Sequence, residues 1–114
     1  MEIKTTDYSI HYDSATATAI CQGSLRLNGT EEYAPIANLL HDLANQASSV
    51  IILDLQELEF LNSSGINVLA KFTIEVRQKG NIEMTIRGSK SIPWQGKSLK
   101  NLQRLMPSLN LEFE

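Results

Sequence analysis

The residues whose types and spacing bear on chemistry gather in one stretch, Asp54-Leu55-Gln56-Glu57-Leu58-Glu59-Phe60-Leu61-Asn62-Ser63-Ser64-Gly65-Ile66. An apolar run, Val50-Ile51-Ile52-Leu53, leads into it, and an apolar periodic segment leaves it. The spacing predicts a strand, a short acidic connection and a helix opened by Ser63, Ser64 and Gly65. A helix start carries free backbone N–H groups and partial positive charge. A bare serine caps such a start, and the same donors receive the phosphate if the serine is modified. Ser63 is therefore the candidate switch residue, with simple capping as the alternative.

Other reactive residue types do not assemble into a set. His11 and His41 lie far apart in sequence, and neither has a partner at metal-ligand spacing. Cys21 is the only cysteine, so no internal disulfide is available, and its apolar strand pattern reads as a buried thiol. Asp54, Glu57 and Glu59 could serve as paired carboxylates, but Glu57 and Glu59 flank apolar Leu58 and Phe60, as on a solvated loop or strand end. Ser63 lacks the Gly-x-Ser-x-Gly elbow and no histidine follows it. No glycine-rich phosphate loop is present. The residues argue against an enzyme, and no cofactor or metal is implied.

Two further features carry binding readings. Trp94, the only tryptophan, falls in a predicted loop beside Pro93. It is either a lid folded onto the core or an exposed anchor for a partner. Arg87, Lys90, Lys97, Lys100 and Arg104 cluster late in the chain, as a solvated face or as a seat for an acidic partner.

These residues need elements to position them. The chain has 114 residues, 42% of them hydrophobic, which suits one domain over 1–114 with a packed core. Tyr8 to Tyr12 and Thr16 to Leu25 read as a hairpin turning at Asp13-Ser14. A helix is predicted from about Tyr33 to Gln46, with Ile36, Leu39, Leu40 and Leu43 inward and Pro35 near its first turn. Val50 to Leu53 reads as a central strand. The next helix is expected over Ser63 to Lys79, with Ile66, Leu69, Ala70, Thr73 and Val76 inward and Gly80 as its stop. A strand over Ile82 to Arg87, a loop over Gly88 to Lys97, a helix over Ser98 to Met106 and a last strand or tail through Leu109, Leu111 and Phe113 complete the order. The fold class is α/β: a mostly parallel sheet entered by an antiparallel hairpin, with three main helices.

The segment Ile51 to Ile66 resembles the signature of STAS domains (sulphate transporter and anti-sigma-factor antagonist). That pattern is an apolar strand, Asp-Leu-x-x-Leu-x-Phe-apolar-Asp-Ser-Ser/Ala-Gly and an apolar helix. Gly23-x-Leu25 resembles the family's second-strand ending, and the order of elements agrees. The resemblance implies a non-enzymatic bacterial regulator of the anti-sigma-antagonist kind, acting in signal transduction and transcription. Its partners would be a serine kinase that is also an anti-sigma factor and a metal-dependent serine phosphatase. The phosphorylated serine maps onto Ser63, and Ser64 and Gly65 occupy the next two motif positions. Asn62, Ser63, Ser64 and Gly65 are the expected partner-contacting residues there, with Trp94 added on its own anchor reading. One departure stands out: the family's Asp before the serine is Asn62, which keeps capping ability and loses the charge. A phosphorylation-independent interaction or sensor module is the alternative. A bulky side chain at Gly65 is expected to obstruct a partner more than the fold.

The net charge of −3 argues against bulk nucleic-acid binding. The polar N-terminus and the lack of a long apolar run point away from a signal peptide or a membrane span, so the cytoplasm is the expected location. A homo-oligomer remains open.

Overall fold

The computed structural model describes residues 1–47 and 49–114. Six strands form one sheet in the order β1-β2-β3-β4-β5-β6. They are β1 (Glu2–Lys4), β2 (Tyr8–Asp13), β3 (Thr18–Leu25), β4 (Val50–Leu61), β5 (Glu83–Gly88) and β6 (Asn110–Phe113), and the helices are α1 (Gly29–Gln46), α2 (Ser63–Lys79) and α3 (Gln95–Leu105). The first three strands pair antiparallel, and β3 to β6 pair parallel. The expected α/β architecture with a parallel part and an antiparallel entry is present. The entry gains a short third strand, β1, through Glu2↔His11 and Lys4↔Ser9.

Each parallel crossover moves one strand in the same direction. Right-handed connections then lay all three helices on one face of the sheet. Burial follows that geometry: Ile51, Leu53 and Leu55 are buried, while Ile52 and Asp54 between them are half-buried. Ile10, Ala19, Met84 and Ile86 extend the covered face across the neighbouring strands. The helices contribute Ile36, Leu40 and Leu43 from α1, Leu69, Phe72 and Val76 from α2, and Leu99 and Leu102 from α3. The other face carries a cross-strand row of Glu2, His11, Ile20, Asp54, Arg87 and Glu112.

The largest departure from the sequence expectation is the length of β4. The connection expected after Leu53 is strand as far as Leu61. Strict alternation fails there for a physical reason. Two register shifts against β3, between Ile20 and Gln22 and between Gly23 and Ser24, each place one extra residue in β4. A bulge of this kind advances the inward positions by three instead of two. The buried leucines follow that rule, running Leu53, Leu55, Leu58, Leu61.

The helix α1 starts at Gly29, ahead of the expected Tyr33, so Pro35 lies inside it and not in the first turn. Glu31 and Glu32 suit the positive helix start, and the Glu32 carboxylate accepts the Asn28 N–H at 2.9 Å. Pro35 is exposed, so the carbonyl it leaves without an N–H partner can meet water. For α2 both ends match the expectation, with Gly80 at φ 76° as its left-handed stop. Its inward set includes Phe72 and Gly65, which the periodicity omitted, while Ile66 and Ala70 are only partly buried. The start of α3 is Gln95, inside the stretch expected as loop.

Candidate functional site at the start of helix α2

The C-terminal ends of β3, β4 and β5 lead to the starts of α1, α2 and α3, so all three helix starts share one rim of the sheet. At its centre is Asn62, the N-cap of α2. Its backbone is extended, with φ −81° and ψ 176°, and its carbonyl accepts the Ile66 N–H at 2.9 Å. The side-chain Oδ1 accepts the Gly65 N–H at 3.0 Å and the Tyr33 hydroxyl at 2.6 Å. The side-chain Nδ2 donates to the Leu27 carbonyl at 2.7 Å. One amide thus ties together the β3–α1 connection, α1 and α2.

Both halves of the amide are in use, which explains the residue type. A carboxylate at this position could accept from Gly65 and Tyr33 but could not donate to Leu27. The departure from the family's Asp is built into the surrounding backbone. Tyr33 itself is buried, and burial pushes its phenol above the ordinary range, with Tyr8 adding to the rise and a Leu27 backbone hydrogen bond opposing it. It remains a hydroxyl donor, also 3.2 Å from the Leu25 carbonyl.

Ser63 is exposed, as a modifiable serine must be, and Ser64 is half-buried beside it. The first turn of α2 has no acidic residue, so nothing on it opposes an added anion. The amides of Ser63 and Ser64 belong to the first turn, where no intrahelical acceptor exists. Gly65 is buried, and a Cβ there would collide with the Leu61 side chain and come within 2.7 Å of the Tyr33 hydroxyl. This corrects the expectation for Gly65: its lack of a side chain serves packing of α2 on β4 and Tyr33. It offers little surface to a partner.

The same rim holds residues that sequence reasoning missed. Arg26 sits over the Phe60 ring, 4.4 Å from its centroid. Phe60 is 37% exposed, a large apolar surface left to solvent two residues before the cap. The signal was present in the motif's aromatic position, but Arg26 becomes its neighbour only through the pairing of β3 with β4. Tyr33, noted only as a helix start, proves to be a partner of the cap.

Trp94 is the N-cap of α3. It is half-buried, and its indole N–H donates to the Leu58 carbonyl at 3.0 Å. The ring is tied to the β4 edge as the lid reading expects, and part of it stays at the surface. Gln95 next to it is fully buried. Its Nε2 donates to the carbonyls of Leu55 at 2.6 Å and Leu58 at 3.1 Å, and its Oε1 accepts the Ser89 N–H at 2.7 Å. These bonds have a clear cause. The β5 register against β4 ends at Asp54↔Arg87, so the remaining β4 edge needs other donors.

The remaining candidates are scattered. His11 faces Glu2 at 4.0 Å, and His41 of α1 meets Glu75 of α2. Cys21 is buried, and burial, with the Asp54 charge adding, pushes its thiol up to about 12. No group of three metal-ligating side chains occurs among the described residues. Among them, no helix is long and apolar enough to cross a membrane.

The fold is shared with solved proteins of low sequence identity. Apo-SiaC from Pseudomonas aeruginosa superposes with a TM-score of 0.74 at 17% identity, covering 100% of this chain and 97% of that one. A chain in the crystal structure of the diguanylate cyclase SiaD in complex with its activator SiaC, from the same organism, gives 0.73 at 15% identity, with 100% and 99% covered. No curated protein matches the sequence closely. The STAS domain model matches residues 23–95, a span that contains β4, the Asn62 cap, α2 and the Trp94–Gln95 closure, and this chain belongs to the STAS domain family.

Proposed function

We propose that this protein is a non-enzymatic regulator that binds a partner protein through the rim around the start of α2 and is switched by phosphorylation of Ser63. The observation that carries the reading is an exposed serine in the first turn of a helix whose cap is held rigidly from three sides. A phosphate there adds about −1.5 to −2 charges in place of a small neutral hydroxyl. Against a docked partner the added charge must be desolvated, and a coupling of about 1–3 kcal/mol changes affinity by about 5–150-fold. The exposed Phe60 and its Arg26 neighbour extend the docking rim with apolar and cationic surface.

In this reading a serine kinase of the anti-sigma-factor kind adds the phosphate, and a metal-dependent serine phosphatase removes it. The SiaC structures support a wider choice of target. SiaC is the activator of a diguanylate cyclase, so a protein of this fold can have an enzyme as partner. The proposal here covers a partner of either kind.

The test is intact-protein mass spectrometry on the protein from its native cells, with fragmentation, joined to capture of partners by Ser63→Ala and Ser63→Glu forms. One phosphate on Ser63, and a partner held by Ser63→Ala but lost by a folded Ser63→Glu, is the expected result. A chain unmodified in every growth condition, with equal capture by both variants, leaves the phosphorylation-independent interaction module as the function.

A further inference from the structure

The acid–base balance of this chain is uneven. Between Met84 and Leu111 there is no Asp or Glu, while Arg87, Lys90, Lys97, Lys100 and Arg104 all fall there. The other five cations share the rest of the chain with all 13 acids. The fold concentrates the segment further. In α3 the inward side is spent on the core through Gln95, Leu99 and Leu102. Its solvent side presents Lys97, Lys100 and Arg104, spaced i, i+3 and i+7 and all exposed. Lys97 lies in the first turn, at the positive end of the helix, where a cation opposes the macrodipole. The ion pairs among the described residues are Glu2–His11, His41–Glu75 and Arg87–Glu112, and none engages Lys90, Lys97, Lys100 or Arg104. Among the described residues no carboxylate forms an ion pair with these four, and the nearest acid by backbone contact is Glu114, whose main-chain oxygen accepts the Lys90 N–H at 2.9 Å.

A cleft of about 310 Å³ adjoins this face. Ile92, Pro93 and Phe113 give it apolar walls, and Lys90 and Lys100 border it. Its size suits one large apolar side chain, with the lysines placed to meet charge on either side.

We propose that the α3 face and this cleft form a second docking surface, for an acidic segment of a partner protein that seats a bulky apolar residue in the cleft and sets carboxylates against Lys90, Lys97, Lys100 and Arg104. This surface stands apart from Ser63 and does not depend on its phosphorylation. Charge complementarity selects the occupant. A nucleic acid would find only one short basic helix face on a chain that is otherwise strongly acidic. A membrane surface would need an apolar stripe to insert, and the apolar side of α3 is already buried in the sheet.

The test is a nuclear magnetic resonance titration of the ¹⁵N-labelled full chain with a capped Asp-Glu-Phe-Glu-Asp peptide. The comparison probes are the same peptide with Gly in place of Phe, a Lys-Lys-Phe-Lys-Lys peptide, a short DNA duplex and phosphatidylserine vesicles. The acidic Phe peptide is expected to shift the amides of Lys90, Lys97, Lys100, Arg104 and Phe113, and to weaken as salt is raised. The double variant Lys97→Glu/Arg104→Glu, exposed at both positions, is expected to keep its thermal midpoint and lose about tenfold in affinity. The Gly peptide should bind more weakly. The proposal is overturned by shifts elsewhere or none, by an equal response to the basic peptide, by indifference to the charge reversal, or by tighter binding of DNA or vesicles.

Discussion

Asn62 is the residue on which the rim depends. Its Oδ1 takes two donors and its Nδ2 gives one bond, to a carbonyl 35 residues away in sequence. Asn62→Asp keeps the shape and removes the donor. An unmet carbonyl costs about 1–3 kcal/mol, and a carboxylate at the helix start returns about 0.3–1 kcal/mol. We expect Asn62→Asp to lower stability by about 1 kcal/mol in urea denaturation at neutral pH, a net of those two effects. Equal stability would show that the Leu27 bond is dispensable. At Gly65 the added atoms meet Leu61 and Tyr33, so Gly65→Val is expected to destabilise by about 1–3 kcal/mol through overpacking. Loss of partner binding with an unchanged midpoint would instead return Gly65 to the docking surface.

At the scale of elements, α3 is attached to β4 by side chains where a strand would normally pair. Gln95 supplies donors to Leu55 and Leu58 and an acceptor to Ser89, and Trp94 shares Leu58. Gln95→Leu keeps the approximate size and leaves the Leu55 carbonyl and the Ser89 N–H without these partners. We expect a loss of about 2–6 kcal/mol, the cost of two such buried groups, read by thermal unfolding. A red shift of the Trp94 fluorescence should accompany it as the lid loosens. A midpoint within error of the parent would mean that water replaces the amide without cost. The local signals around this closure were poor. Gly88 to Lys97 is rich in Gly, Ser and Lys and reads as loop, and Gln95 in isolation reads as surface. By contrast, α2 was legible to its ends, because its cap, its apolar period and Gly80 all act within a few residues of sequence.

At the scale of the molecule, one-sided helix packing leaves a sheet with a buried face and a half-solvated one. It also gathers three helix starts on one rim, with Ser63, Phe60 and Arg26 together there. The sequence by itself determined the inward face of α1, the α/β class, the cap–Ser–Ser–Gly step and the extent of α2, since each follows from periodicity or from contacts between near neighbours. Only the tertiary structure decided the length of β4, the placement of Arg26 over Phe60, the two-sided use of the Asn62 amide and the inward turn of Trp94 and Gln95. Two bulges disguise the β4 pattern by changing its inward spacing from two to three. The other three depend on which distant carbonyl, ring or strand edge arrives beside the side chain, and a local pattern of residues carries no record of that.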